Sequence, residues 1–452
     1  MALPAALLLC AAILGCGRNA AEEAEENRET VPNVVTADIK AGIEHHIEEK
    51  TQEGEGYYRL GFRDDELKLK LVKVHTEWLA NLGPRRHFAC VDLADTKGNV
   101  YDVDFFLAGD PGEMTVTETT VHKINGQPLY AWKQRANGTW KRISVEEASP
   151  RELGVLTGRD EFDFLYRAIL PDITGPARAW LPLPQTDRWQ TVTTNFIDVP
   201  VEQRVLEEPE FGNKALFLEL GPEHSGRTLE MSFHVQRLEK APYQEDPQLE
   251  RYLSAESRVP LSERFRRIAR KTVTGKEGDL ERARALYDHT IERMRYAKYG
   301  EGWGEGDAVF ACDAERGNCT DFHSYFIALA RAVGIPARFA IGASIPSARD
   351  HGGVNGYHCW AEFYAEDKWW PVDISEGDKC SPLTTYFFGH HPANRVELSR
   401  GRDLAFDPGP QTGPINFFAY PVLEIEGRPA KAAVTFLFER KDSGESLDSP
   451  AS

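Results

Sequence analysis

Three residues have the types and order of a thiol-based acyl-transfer site: Cys319, His358 and Asp373. Asn318 is a favoured helix N-cap residue, and Asp321 follows it by three, a capping arrangement. Cys319 then falls in the first helical turn, where unpaired N–H groups and the helix dipole favour an anion. A thiol in that position ionises below the ordinary value of about 8.5. A buried apolar cysteine would look the same from position alone. His358 and Asp373 lie on two strand-like runs, 357–364 and 368–374, separated by Ala365-Glu366-Asp367. With the turn centred between Ala365 and Glu366, position 358 faces 373, with Cβ atoms about 5 Å apart. An Asp at that range fixes the imidazole tautomer and stabilises its cation. The alternative is a surface ion pair worth about 0–1 kcal/mol. The flanking Trp360, Trp369 and Trp370 favour a drier site.

The elements that must position these groups are legible around them. Asp279 can cap a helix with Leu280, Ala283, Tyr287, Ile291 and Met294 on one face. A Gly-rich loop follows (Gly300, Gly302, Gly304, Gly306), and then a helix carrying Phe322, Phe326, Leu329, Ala330 and Val333. Gly334-Ile335-Pro336 stops that helix. Strand-like runs come next at 337–342, 357–364 and 368–374.

In this setting, Gly317-Asn318-Cys319-Thr320-Asp321-Phe322 with the run from Ala328 to Arg338 resembles the core motif of the transglutaminase-like (papain-type) superfamily. His358-Cys359-Trp360-Ala361-Glu362-Phe363-Tyr364 and Trp370-Pro371-Val372-Asp373 resemble its second and third motifs. The resemblance covers roughly residues 280–375. It implies a thioester mechanism in which His358 takes the Cys319 proton, the thiolate attacks an amide carbonyl, and an amine or water resolves the acyl-enzyme. The amide would be a glutamine side chain or a peptide bond, so the expected partner is a protein or peptide. The Cys319 N–H is one oxyanion donor, and the Trp303 indole N–H is the candidate for a second; Trp303 could equally be a packing aromatic. Two other readings use the same residues: a catalytically silent papain-like fold that binds peptide or cell-wall material, and a structural lipoprotein using the core as a scaffold. No cofactor is expected. No metal is expected either, because there is no CxxC pair and His390-His391 lacks a Cys or acidic partner at ligand spacing. His323, Asp321 and Arg338 are expected to serve structure.

The chain has 452 residues, 41% hydrophobic and 10% aromatic, which suggests several domains of an α+β protein. Its net charge of −18 argues against nucleic acid or an anionic membrane surface as partner. Residues 1–16 form an apolar run of signal-peptide length, and Ile13-Leu14-Gly15-Cys16 resembles the bacterial lipobox. That resemblance implies export to the cell envelope, with a lipid on Cys16 as the membrane anchor. Loss of Cys10 and lipidation of Cys16 leave Cys90, Cys312, Cys319, Cys359 and Cys380, an odd number that implies a free thiol. A Cys312–Cys359 disulfide is one pairing left open. The Glu-rich stretch 17–36 reads as a tether.

Residues 37–145 read as an α+β domain of cystatin-like or NTF2-like shape. It starts with a helix capped by Thr36 and carrying Ile39, Ile43 and Ile47. An antiparallel meander follows, in which Leu67, Leu69, Leu71 and then Tyr101, Val103, Phe105, Leu107 alternate with polar residues, and Asn125-Gly126 and Asn137-Gly138 mark hairpins. Residues 150–240 read as a small β-sandwich with one short helical stretch at 162–168; the run from Ala179 to Pro184 loosely resembles the β-domain that precedes many bacterial transglutaminase cores. Residues 241–278 read as a linker with a helix at 261–271, 279–425 as the catalytic core, irregular beyond Ser381, and 426–452 as a last strand, at 432–439, and a disordered tail. The segments 37–145 and 150–240 hold no chemical constellation, so they are expected to recruit or position a partner.

Overall fold

The computed structural model describes residues 34–441, apart from 76–78, 84, 126, 135–139, 246–247 and 380. The signal-like run, Cys16, nearly all of the acidic stretch, the Asn137-Gly138 hairpin, Cys380 and the tail beyond 441 lie outside the described residues. The described residues form an α+β structure of helices and mainly antiparallel sheets.

The N-terminal unit packs one helix on one sheet. Helix Thr36–Glu53 starts one residue earlier than expected, since Val35, not Thr36, is its N-cap and donates its N–H to Asp38 at 2.9 Å. Ile39, Ile43 and Ile47 are buried against Leu69, Val91, Leu93, Val103 and Phe105 of the sheet. The strands run Tyr58–Phe62, Asp65–Val74, Arg86–Asp95, Val100–Ala108, Thr115–Ile124 and Gln127–Pro128, each hydrogen-bonded to the next. The alternation of Asp102 and Asp104 with apolar residues set the strand correctly. Asp104 is nevertheless fully buried, not solvated.

Two five-stranded sheets form the sandwich. One orders Gln190–Asp198, Thr228–Leu238, Arg159–Ile169, Ala433–Arg440 and His351–Val354; the other orders Gln203–Glu207, Lys214–Leu220, Ala177–Leu183, Val422–Ile425 and Arg428–Ala430. Three expectations need correction. The stretch 162–168 is a strand, not a helix: Phe162, Phe164, Tyr166 and Ala168 are buried while Asp163, Leu165 and Arg167 are only partly so, a period of two. The strand near the C-terminus does not stand apart, because Ala433–Arg440 pairs with Arg159–Ile169 along eight positions. The region beyond Ser381 is not wholly irregular, since Arg395–Arg400 is a buried strand. The sandwich is thus closed by chain from both sides of the core in sequence, and one apolar cluster runs from its interior into the core.

The core wraps helices Glu263–Thr272, Gly278–Arg293 and Ala308–Ala314 around a central helix, Cys319–Ala332. Thirteen of that helix's residues, Cys319 to Arg331, are buried, as expected of a helix enclosed on all sides. Its sheet orders Lys368–Val372, His358–Ala365, Ala337–Ser344 and Arg395–Arg400. The stretch expected to be a linker is stitched down at its start. Tyr243 and Trp369 exchange backbone hydrogen bonds at 3.1 and 2.8 Å. The buried Glu362 accepts Lys240, Tyr243 and Arg338 at 2.8, 3.0 and 2.7 Å.

Because Phe436 packs its ring on Phe164 and Tyr166 inside the sandwich, Phe436→Ala should cost about 3–4 kcal/mol. Urea unfolding followed by circular dichroism measures it. A loss under about 1 kcal/mol would show that the last strand is an accessory.

Candidate active site

The helix start is built before the thiol is placed. Strand Arg295–Tyr296 pairs in parallel with Arg316–Gly317 and brings the chain to Asn318. The Asn318 side chain accepts the Thr320 N–H at 3.0 Å, and Asp321 accepts the Asn318 N–H at 3.0 Å, a reciprocal cap. Asp321 also accepts the Gly304 and Gly306 N–H groups at 2.8 and 3.1 Å. One carboxylate therefore ties the Gly-rich loop to the helix that carries Cys319. Trp303 stands half-buried in that loop, beside Gly304, whose carbonyl accepts the Tyr357 hydroxyl at 3.3 Å.

His358 opens strand His358–Ala365, and its Nε2 lies 2.7 Å from Asp373 Oδ2. The route to that contact differs from the expected one. The ladder pairs Ala361 with Val372 and Ala365 with Lys368, around a two-residue turn. Glu366 and Asp367 both have positive φ, 51° and 56°, as a type I′ hairpin requires. Extended in register, His358 faces position 375, not 373. A slip of two keeps the face, because side chains alternate with period two. Asp373 is therefore a diagonal neighbour of His358. The strand ends at Val372, and Asp373 caps the next helix, Ile374–Lys379, by accepting the Glu376 N–H at 3.0 Å.

The electrostatics follow from these partners. Burial opposes ionisation of Asp373, but His358 and Arg395 hold it well below the usual carboxylate range; Arg395 reaches Oδ2 at 2.5 Å. Burial likewise opposes a charge on His358, yet Asp373 and the hydrogen-bonded Cys319 push it up to about 9. Burial opposes ionisation of Cys319 too, but the neighbouring Cys359 and His358 side chains and the charge of Lys298 pull its thiol well below the ordinary value. The cluster is thus set for a thiolate facing an imidazolium, with a carboxylate behind it.

His323 has a different task. Its Nδ1 bonds the Cys319 carbonyl at 2.6 Å, and its Nε2 accepts the Ile374 N–H at 3.2 Å. Both ring nitrogens are occupied by backbone, and burial lowers its pKa, so it is a neutral brace between the thiol helix and Asp373. Cys359 Sγ lies 3.5 Å from His323 Nδ1; it is not bridged to Cys312, and both are free thiols. His391 is buried with Nε2 3.2 Å from the Val372 carbonyl. Sequence reasoning missed Arg395, which no local spacing connects to Asp373, and underrated Asp321.

Residues 266–374 match the family model described as the Transglutaminase-like superfamily. An uncharacterized protein of Haemophilus influenzae is 27% identical over 318 residues, covering 60% of this chain and 86% of that one. Among solved structures, a Cytophaga hutchinsonii protein provisionally assigned as a cysteine protease aligns with TM-score 0.44 and 16% identity, over 66% of this chain and 93% of that one. The periplasmic domain of TgpA from Pseudomonas aeruginosa aligns with TM-score 0.28 and 16% identity, over 52% and 92%. Residues 266–374 thus carry a transglutaminase-like fold, and the Cys319, His358 and Asp373 cluster is arranged as a thiol-dependent catalytic triad.

Arg395→Leu would leave a buried carboxylate short of one cationic partner. It should cost about 3–5 kcal/mol in urea unfolding. A cost below about 1 kcal/mol would mean that His358 and the helix cap suffice to hold Asp373.

Proposed function

We propose that Cys319 is the nucleophile, His358 the general base and then acid, and Asp373 the group that positions His358. The observation that carries this is the pairing of His358 Nε2 with Asp373 at 2.7 Å beside a buried helix-start thiol, whose ionisation the His358 charge favours. The thiolate adds to an amide carbonyl of a protein or peptide, and the C–N bond breaks as His358 gives its proton to the departing nitrogen. Water or an amine then attacks the thioester carbonyl and passes its proton to His358; the C–S bond breaks, the acyl product leaves, and the Cys319 thiolate faces an imidazolium again. The Cys319 N–H, unpaired in the first helical turn, and the Trp303 indole are the proposed oxyanion donors.

On this reading the N-terminal segment 37–145 and the sandwich position the partner. The sequence resemblance at Leu14-Gly15-Cys16 supports export and a lipid anchor on Cys16. Mature protein should then begin at Cys16, and Cys16→Ser should leave the membrane fraction; a Ser variant that stays membrane-bound rules the anchor out.

The reaction is tested by labelling with an iodoacetamide probe across pH. Cys319 should react well below pH 8, and reactivity that depends on the ion pair should fall as pH rises through about 9, where His358 loses its proton. His358→Ala should move the onset of labelling up toward about 8.5. Asp373→Asn should lower turnover by about 100-fold or more while sparing most labelling. Cys319→Ala should abolish both. A Cys319 that titrates like a free thiol and is indifferent to His358 would overturn the mechanism.

A further inference from the structure

The outer face of the N-terminal sheet carries a second set of reactive side chains. On strands Arg86–Asp95 and Val100–Ala108, Cys90 stands opposite Asp104, and Asp92 opposite Asp102. All four turn away from the helix, whose side takes Val91, Leu93, Val103 and Phe105. In the next ladder Asp102 pairs with Lys123 and Val103 with Val121, so His122 is the extra residue of a bulge. A bulge re-aims a side chain, and His122 Nδ1 lies 3.7 Å from Asp104 Oδ2.

The polar atoms here are divided in a consistent way. Asp104 Oδ2 accepts the Tyr130 hydroxyl at 2.7 Å and the Trp132 indole N–H at 3.0 Å. Asp102 Oδ2 accepts the Lys123 ammonium at 3.0 Å. His122 Nε2 bonds the Tyr130 carbonyl at 3.1 Å, so it carries the proton and leaves Nδ1 a free lone pair. The opposite atoms converge. Asp102 Oδ1 lies 2.7 Å from Cys90 Sγ, and the buried Asp104 Oδ1 has no hydrogen-bond partner. An orphaned buried oxygen costs about 1–3 kcal/mol. One donor atom from each of Cys90, Asp102 and Asp104 lies within 4.8 Å of the others. Outer donors fixing each ligand while inner lone pairs converge is how proteins hold metal ions.

We propose that Cys90, Asp102 and Asp104 bind one divalent transition-metal ion of the zinc type. A thiolate among carboxylate oxygens suits such an ion and not magnesium or calcium. Binding replaces the Cys90 S–H bond with a sulfur–metal bond and releases one proton to solvent. Lys123, Tyr130 and Trp132 keep their places on the outer oxygens, so the ion ties the two strands to the segment beyond them.

The test uses the full chain carrying Cys319→Ala, which removes the candidate nucleophile as a rival ligand, and cobalt(II) as the probe. After chelator treatment, one equivalent should bind, with a thiolate-to-cobalt absorption band in the near ultraviolet and one proton released by titration calorimetry. Cys90→Ser should abolish the band. Asp104→Asn should weaken binding about 10–100-fold with unchanged circular dichroism. No band at stoichiometric cobalt, or a band that survives Cys90→Ser, overturns the proposal. Should the Ser variant unfold, Asp104→Asn decides, and unchanged affinity there overturns it.

Discussion

The core depends on a carboxylate that water does not reach. Both oxygens of Asp373 are committed: Oδ2 to His358 and Arg395, Oδ1 to the N-terminus of helix Ile374–Lys379. An isolated charge at that depth would be intolerable, so its partners are fixed as firmly as the charge itself. That explains why the hairpin strand stops at Val372 and a helix begins at once. It also explains the fourth strand of the sheet, which carries Arg395. Arg395 reaches Asp373 from beyond strand Ala337–Ser344, with its guanidinium 4.9 Å from the centre of the Trp360 ring. Gly342 lies in that intervening strand, where a Cβ would sit 1.8 Å from the Val396 carbonyl oxygen.

The thiol side is fixed by an equivalent device. Asp321 gathers three backbone N–H groups, from Gly304, Gly306 and Asn318, and so joins loop and helix start. His323 spans from the Cys319 carbonyl to the Ile374 N–H and links the two halves of the site. The position of thiol relative to imidazole is therefore set by backbone hydrogen bonds on both sides, which is the preorganisation a charge-separated ground state requires.

Much of the core was legible. Asn318, the helix behind Cys319 and the alternating runs around His358 and Asp373 are local patterns, and local hydrogen bonding and period-two geometry dictate them. The hairpin centre was misjudged by one residue, since Glu366-Asp367 adopts the left-handed region without a glycine to announce it. The face survived because the resulting slip was two. The strand at Arg159–Ile169 read as helical because Phe162, Leu165, Tyr166 and Ile169 also fall at helical spacing, and only pairing with Thr228–Leu238 and Ala433–Arg440 decides between the periods.

By itself the sequence determined the identity and order of the reactive groups, the helix that presents the thiol and the strands that present its partners. Each of those rests on contacts within a few residues. Tertiary structure alone decided that Arg395 completes the charge balance at Asp373, that His323 is a brace, and that Asp104 is buried beside Cys90. It also decided that strands from both sides of the core close one sandwich. Those outcomes depend on which distant segments meet, and burial, which sets the strength of every charge in the site, exists only once they have met.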